Sequence, residues 1–268
     1  MKWFVKEGSI VREIWGNADT ILFIFAGASA EFALNKSVDW LYFTGRLPAD
    51  PLGRLFSTVS YARQIVFSEQ NAALKAIEQI GAIHKGVEEK RGARIPDSAY
   101  RDVLFMLVDY SIRSYELLER NLTEDEKADV FEVFGRVGEG MGIPGLPLNY
   151  SDWEVMRQAH LSENLIKSNF SVDLYKQYRK HLGLGRYLLL KEVQTRIAPQ
   201  RVKKLLSLGS WSLLSVILPV YKLMRVFRLH KAMRDLILPT EYISQIVSLD
   251  TRREDNWREE DLRTSYSS

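Results

Sequence analysis

Apolar side chains recur at helical spacing along most of the chain, and the signals for strands are sparse. The clearest stripe follows the 3.6-residue period of an amphipathic helix and consists of Val103, Leu104, Leu107, Val108, Ile112 and Tyr115. No run that alternates with period two is bounded by the turn residues of a β-hairpin. The pattern therefore predicts an all-α protein.

Capping and turn residues divide this pattern into separate helices. Asp50 precedes Pro51, which places a capping side chain before a proline at the first helical position. Thr123 is followed three residues later by Glu126, the arrangement of a capping box. We predict helical segments at 10–15, 20–41, 52–67, 71–90, 97–120, 124–138, 151–160 and 172–181, followed by basic amphipathic segments as far as residue 238.

Length and composition indicate one globular domain. A chain of 268 residues with 46% hydrophobic and 26% charged residues can bury a sizeable core. We predict a single helical domain over residues 1–250, with core motifs at 20–160 and basic amphipathic helices at 183–240. The charged segment 251–268 is predicted to be a flexible tail.

Several classes of protein are excluded or disfavoured. The chain has no cysteine, which excludes disulfides, thiolate metal sites, Fe–S clusters and cysteine nucleophiles. No stretch reaches the roughly 18 apolar residues of a membrane-spanning helix. Glu7, Glu13 and Asp19 lie where a secretory leader would be basic, so we expect a cytoplasmic protein.

The net charge of +3 hides a strongly basic region. Between Gly183 and Pro239 there are eleven Lys or Arg residues and only two acidic residues. The segment 210–238 combines these cations with apolar residues at near-helical spacing. This pattern is typical of a helix that docks peripherally on an anionic membrane surface, and equally of a core helix with a solvated basic face. We expect no nucleic-acid partner, because no motif that reads nucleic acid is present.

Of four scattered histidines, His84 is the best placed to bind a cofactor. Ile77, Ile80, Gly81 and His84 share one helix face. A glycine inside a helix costs about 1 kcal/mol relative to alanine, and it is tolerated where something must approach the backbone. The edge of a macrocycle whose iron His84 ligates would fit here, and so would a core histidine beside a helix contact. His160 is a further candidate site residue, whereas His181 and His230 are most simply surface residues.

A second helix face carries hydrogen-bonding side chains. Arg54, Ser57, Thr58 and Tyr61 follow one another at i, i+3, i+4 and i+7. The guanidinium of Arg54 has the geometry to pair with a carboxylate or a propionate. The alternative is a surface face or an ordinary buried polar network.

The two helices together resemble a known family. The stretch from Asp50 to Tyr61, continuing to Val66 and Phe67, resembles the signature of the rubber oxygenase (latex-clearing protein) and MpaB-type ER-bound oxygenase catalytic domain family. The segment 80–87 is similar to that family's following helix, in which a histidine ligates haem b. The segment 117–126 and the turn 142–147 also match, so the resemblance covers about residues 20–160.

The resemblance implies an all-helical, globin-like or related core with a haem pocket. His84 would be the metal ligand, Gly81, Arg54 and Tyr61 would bind the haem b cofactor, and Arg54, Ser57 and Thr58 would be catalytic. The implied function is a haem b-dependent oxygenase or oxidoreductase that acts on a hydrophobic small-molecule or polymer substrate of isoprenoid or lipid type. The alternative is a non-catalytic helical protein that binds lipid or a membrane with the same fold.

The chain departs from the family pattern at several positions. Ser57 replaces a lysine of the rubber-cleaving branch, and Ser37-Val38 stands where many members carry a His-Pro pair. A later family histidine corresponds to Asp109. Asp39 and Glu31 are the nearest candidates for the acid/base carboxylate of that branch. These departures leave the reaction open.

Overall fold

Helices form nearly all of the regular structure in the computed structural model. It describes residues 2–45 and 49–226, except for the side chains at positions 41, 52, 54–56, 220, 221 and 223–226. The helices are α1 (Ile10–Trp15), α2 (Ala18–Phe32), α3 (Asp39–Phe43), α4 (Pro51–Phe67), α5 (Gln70–Arg91), α6 (Asp97–Leu118), α7 (Glu124–Gly140), α8 (Tyr150–Glu163), α9 (Asn169–Ile197), α10 (Gln200–Leu206) and α11 (Leu214–Val226). Within the described ranges β-structure is limited to two isolated bridges. The all-α prediction is confirmed.

The predicted caps begin the helices as expected. The Asp50 side chain accepts a hydrogen bond from the Gly53 backbone N–H at 2.8 Å and starts α4. Thr123 and Glu126 form the reciprocal capping box of α7. Such caps satisfy backbone donors that have no partner inside the helix. They therefore fix the positions at which these helices start.

Two predicted segments differ from the observed helices. The segment 20–41 is not continuous, because α2 ends at Phe32 and the Asn35 side chain accepts from the Ser37 backbone N–H in the following turn. The segment 172–181 is too short, because α9 runs from Asn169 to Ile197 with a kink at Gly183. Gly183 has a φ of 72°, which glycine adopts without the strain of a β-carbon. The helical signal continues on both sides of this one residue.

Helix α2 lies at the centre of the main core and packs against α6 and α9. Its contact with α6 is close at Gly27, where an added β-carbon would lie 2.3 Å from the Tyr110 ring. Tyr110 and Trp15 are among the largest fully buried side chains. A small residue is therefore required where these two helices meet.

A second, smaller apolar cluster joins four helices away from the main core. It consists of Ala30, Leu34, Leu161, Leu165, Ala198 and Val202. Ala30 and Leu161 lie on α2 and α8, Leu34 and Leu165 follow the ends of these helices, Ala198 lies between α9 and α10, and Val202 lies on α10. The cluster holds the α9–α10 joint firmly against the body of the protein.

None of the helices within residues 2–45 and 49–226 is long and apolar enough to cross a membrane. The predicted tail 251–268 and the basic segment from residue 227 onward lie outside the described residues. The prediction of a single domain over residues 1–250 therefore stays a prediction.

Candidate functional site

A large apolar cavity of about 770 Å³ lies between α2, α4, α5, α6, α7, α9 and α11. Most of its walls are aliphatic or aromatic side chains, including Phe23, Phe25, Ile65, Ile80, Val103, Met106, Leu107, Phe134, Leu189, Ile217 and Leu218. A few polar groups interrupt these walls, including Ser57, Thr58, Tyr61, His84, Tyr100, Asn35 and Arg186. An apolar cavity with few polar groups is the usual form of a site for a hydrophobic ligand.

His84 lies in the wall of this cavity and is half-buried. Its Nδ1 atom lies 2.9 Å from the backbone carbonyl oxygen of Ile80. A carbonyl only accepts, so this bond places the proton on Nδ1 and the lone pair on Nε2. Tyr100 contacts the imidazole edge-on, with ring centroids 5.2 Å apart. A neutral imidazole with its proton on Nδ1 has the tautomer that metal ligation through Nε2 requires.

The structure brings the predicted α4 residues to the same cavity. Ser57, Thr58 and Tyr61 all line it, and α4 packs directly against α5, which carries His84. Thr58 and Tyr61 are half-buried, whereas Ser57 is exposed. The side chain of Arg54 lies outside the described residues, although its backbone is on the same helix.

Gly81 is half-buried but does not line the cavity as the structure describes it. A β-carbon at this position would meet no heavy atom within 4 Å. Packing between described protein atoms therefore does not explain the glycine. Its assignment to cofactor binding stays a prediction.

The cavity residues that were not predicted from the sequence include Tyr100 and Arg186. Tyr100 contacts His84, and burial together with the Glu88 carboxylate raises the pKa of its phenol to about 12. Arg186 lines the cavity from α9, three residues after the Gly183 kink. No sequence signal marks either residue, because their positions depend on how α6 and α9 pack.

The two carboxylate candidates lie in different surroundings. Asp39 forms an ion pair with Arg91 at 2.6 Å, and the Arg91 guanidinium lies 3.9 Å from the centroid of the Trp40 ring. Trp40 lines the cavity, which places Asp39 near its edge. Ser37 and Val38, at the family's His-Pro position, also line the cavity.

Glu31 is fully buried and lies in an ionic network rather than in the cavity wall. Its carboxylate pairs with both terminal guanidinium nitrogens of Arg157 and accepts from the Tyr110 hydroxyl at 3.0 Å. His160 Nε2 lies 2.8 Å from the same carboxylate. Burial raises the pKa of Glu31, but Arg157 and His160 outweigh it and hold the pKa at about 2.

The network continues through two aspartates. Asp109 pairs with Arg157 at 2.7 Å and with Arg113 at 2.6 Å. Asp102 Oδ1 lies 2.6 Å from His160 Nδ1. Burial lowers the pKa of His160, but Asp102 and Glu31 outweigh it, so the net shift is upward. His160 therefore acts within a buried ion network and does not line the cavity.

Asn35 connects this network to the cavity. Its side-chain amide donates to Asp102 Oδ2 at 2.9 Å, and the same residue lines the cavity. Asn164 donates to both oxygens of Asp102 at 3.2 Å. The network therefore positions the turn after α2, which forms part of the cavity wall.

The residues of the cavity fit a haem group. A haem supplies four nitrogen ligands of its own, so the protein needs to supply only an axial ligand such as His84. The cavity volume falls within the range of small-molecule and cofactor sites. No group of three or more His, Asp or Glu side chains in the described part of the chain has the geometry to hold a metal ion.

Comparison with known proteins gives one family. A family model described as "ER-bound oxygenase mpaB/B'/Rubber oxygenase, catalytic domain" matches residues 15–237. No curated protein matches the chain. The match reaches beyond the motifs at residues 20–160 and includes α9, α10 and α11.

Proposed function

Because the chain belongs to the ER-bound oxygenase mpaB/B'/rubber oxygenase catalytic domain family, we propose that it is a haem b-dependent oxygenase acting on a hydrophobic substrate. The family match supports oxygenase activity. The observation that favours haem is His84, which lies in the wall of an apolar cavity with its Nδ1 bonded to the Ile80 carbonyl.

The residues divide into distinct roles in this proposal. His84 would hold the iron through Nε2, and Tyr100 contacts the imidazole from its edge and would keep it in place. When bound, haem supplies the binding and activation of O₂. The hydroxyl groups of Ser57, Thr58 and Tyr61 orient polar atoms by hydrogen bonding within the same cavity. Arg54 is assigned to a haem propionate because of its position on α4 and its guanidinium geometry.

The cavity walls favour a hydrophobic substrate of isoprenoid or lipid type. Binding of an apolar ligand is favourable because the apolar surfaces of the ligand and of the cavity walls are both removed from water. Ser57, Thr58, Tyr61, His84 and Tyr100 lie on α4, α5 and the start of α6, and apolar side chains form most of the remaining wall, which suits a hydrocarbon chain. We therefore expect polar analogues of a substrate to bind much more weakly than apolar ones.

Reconstitution with haem tests the role of His84. The purified chain with haem added should show a Soret band and bind one haem, because one axial histidine is available in the cavity. His84→Ala should abolish or strongly shift the band. His181→Ala is the matched control, since His181 is exposed and lies outside the cavity. Circular dichroism should show that both variants keep the helical fold.

A Soret band that is the same in His84→Ala and in the parent chain would remove His84 from the ligand role. Equal loss of haem in both histidine variants would also contradict it. Turnover of an apolar polyisoprenoid or lipid under O₂ should then depend on His84 and not on His181.

We also propose that the face around α11 docks on a membrane. Trp211 and Val216 are 65% and 63% exposed, and Leu213 and Ile217 are also exposed, so four large apolar side chains are exposed within seven residues. Next to them, Leu214, Ile217 and Leu218 line the apolar cavity. A membrane against this face would place an apolar substrate close to the cavity. The basic positions from residue 227 onward lie outside the described residues.

Vesicle co-sedimentation tests the docking face. Binding to phosphatidylcholine vesicles that contain phosphatidylserine should fall when Trp211 and Val216 are both changed to Ser. The matched control changes Leu148 and Val155 to Ser, because these side chains are equally apolar and 92% and 71% exposed. Binding that survives the first pair of substitutions, or that falls equally with both pairs, would contradict docking through α11.

A further inference from the structure

A second, polar cleft of about 650 Å³ opens on the surface beside the α9–α10 joint. Four cationic side chains line it, namely Arg113, Arg196, Arg201 and Lys203. Its other lining residues are uncharged, and no carboxylate lines it. Among the described residues none lines both this cleft and the apolar cavity. The cleft is therefore a separate and strongly positive site.

Most of the positive charge in the cleft is not neutralised by the described part of the protein. Arg113 pairs with Asp109, whose other carboxylate oxygen bonds to Arg157. Arg196 and Arg201 form no ion pair within residues 2–45 and 49–226. The cations that converge in the cleft repel one another, and this repulsion favours the binding of an anion.

The repulsion between these cations also affects Lys203. Burial, together with the nearby charges of Arg196 and Arg113, lowers the pKa of its ammonium group. Its neighbours are thus close enough to disfavour its charge. An anion in the cleft would relieve this repulsion.

The cations are carried by a well-anchored part of the fold. Ala198 and Val202 are buried in the small apolar cluster with Leu161. The α9–α10 joint between them carries Arg196 and Arg201 on either side. Because its apolar residues hold the joint, little further ordering of the backbone is needed when a ligand binds.

We propose that this cleft binds the phosphate group of a phosphate monoester or diphosphate ligand. Three guanidinium groups offer pairs of N–H donors that match phosphate oxygens, and an ammonium adds a point charge. A ligand with a single carboxylate would balance only one of the four positive charges, whereas a phosphate or diphosphate carries more negative charge. The open cleft leaves room for the rest of a larger molecule, so the phosphate belongs either to a soluble organic phosphate or to a lipid headgroup.

Calorimetric titration with inorganic pyrophosphate tests the proposal on the full chain as purified. Loss of the charge-assisted hydrogen bonds from Arg196 and Arg201 should weaken binding about tenfold or more. The double variant Arg196→Gln/Arg201→Gln removes two exposed cations and should leave the fold intact. The matched control is Arg179→Gln/Lys180→Gln, which removes two exposed cations on α9 outside the cleft.

Tight pyrophosphate binding that is lost in the cleft variant and kept in the control supports the proposal. Absence of binding to the parent chain, or equal weakening in both variants, overturns it. A second arm compares phosphatidylcholine vesicles with and without phosphatidic acid. Cleft-dependent binding to the phosphatidic acid vesicles assigns the phosphate to a lipid, and binding to pyrophosphate alone assigns it to a soluble ligand. Neither arm depends on haem, so the result is independent of the role of His84.

Discussion

At the scale of single residues, the most constrained group in this protein is the Glu31 carboxylate. It has no exposure to solvent, and three side chains, Arg157, His160 and Tyr110, satisfy its oxygens. A buried charge is tolerated only when it is paired and hydrogen-bonded, because removal from water costs several kcal/mol per ion. The partners of Glu31 are therefore as necessary as the carboxylate itself.

Glu31→Gln should destabilise the fold by about 3–5 kcal/mol, because Arg157 would remain buried without its main counterion. Urea unfolding followed by circular dichroism measures this change. The control is Glu132→Gln on α7, whose carboxylate is largely exposed and lies 4.0 Å from Arg136. That substitution should change the free energy of unfolding by less than about 0.5 kcal/mol. Similar effects of the two substitutions would contradict the importance of the network.

His160 should make stability depend on pH. Asp102 and Glu31 raise its pKa above the ordinary value of 6.5. The folded state thus binds the proton more tightly than the unfolded chain. The resulting stabilisation is fully present below pH 6.5 and is lost as the pH rises through the higher pKa of the folded state. Unfolding free energy should fall with rising pH in this window.

The contribution of His160 appears as the difference between the parent chain and His160→Gln across that pH range. The slope of this difference should be negative above pH 6.5. His181→Gln should leave the pH dependence of the parent chain unchanged, because His181 is exposed. A pH dependence that survives in His160→Gln would assign the titration to another group.

At the scale of helices, the closest contact is that between α2 and α6. Gly27 lets the α2 backbone approach the Tyr110 ring, which is fully buried and bonded to Glu31. The ring cannot move away without disturbing that hydrogen bond. The distance between these two helices therefore also fixes the buried network.

Gly27→Ala should destabilise the protein although alanine is the better helix former. Helix propensity favours alanine by about 1 kcal/mol. Overpacking against a fixed ring costs about 1–3 kcal/mol, and here the added carbon would lie 2.3 Å from the ring and 2.7 Å from Ile197. Gly86→Ala on α5 is the control, since its β-carbon meets nothing, and it should stabilise the fold. Denaturation midpoints that rise in both variants would contradict this packing.

At the scale of the whole molecule, helices from both ends of the described chain surround one cavity. α2 and α11 both line it, and α4 and α5 supply Ser57, Thr58, Tyr61 and His84. Burial of apolar surface elsewhere in the core holds these helices in place, so the cavity persists without side chains to fill it. The cavity that would bind a ligand thus exists only when these helices are packed together.

Filling the cavity should abolish ligand binding without unfolding the protein. Ala28 lines the cavity from α2, and Ala28→Phe would occupy part of its volume. We expect weaker binding of haem and of an apolar fluorescent dye, with an unfolding temperature close to that of the parent chain. Ala93→Phe, at an exposed position after α5, should leave binding unchanged. Equal dye binding in the two variants would place the ligand outside this cavity.

Much of the secondary structure and the grouping of several cavity residues followed from local sequence signals. Asp50 and Thr123 mark helix starts because a cap acts within three or four residues. Ser57, Thr58 and Tyr61 were grouped correctly because helical spacing alone places them on one face. Helical spacing also placed His84 on one face of its own helix, and this face contributes to the cavity wall. Local spacing is sufficient wherever the interacting groups lie within two turns of each other.

The sequence by itself determined the all-α class, most of the helix starts, the family and the two helices that carry the predicted site residues. Only the tertiary structure decided that Glu31 pairs with Arg157 and His160, which lie more than 120 residues away along the chain. It also decided that Tyr100 contacts His84 and that cations from α6, α9 and α10 converge in one cleft. The physical reason is the separation of the interacting groups along the chain. Hydrogen bonds and caps within a helix are fixed by neighbours in sequence. Pairing of buried charges depends instead on how whole helices pack.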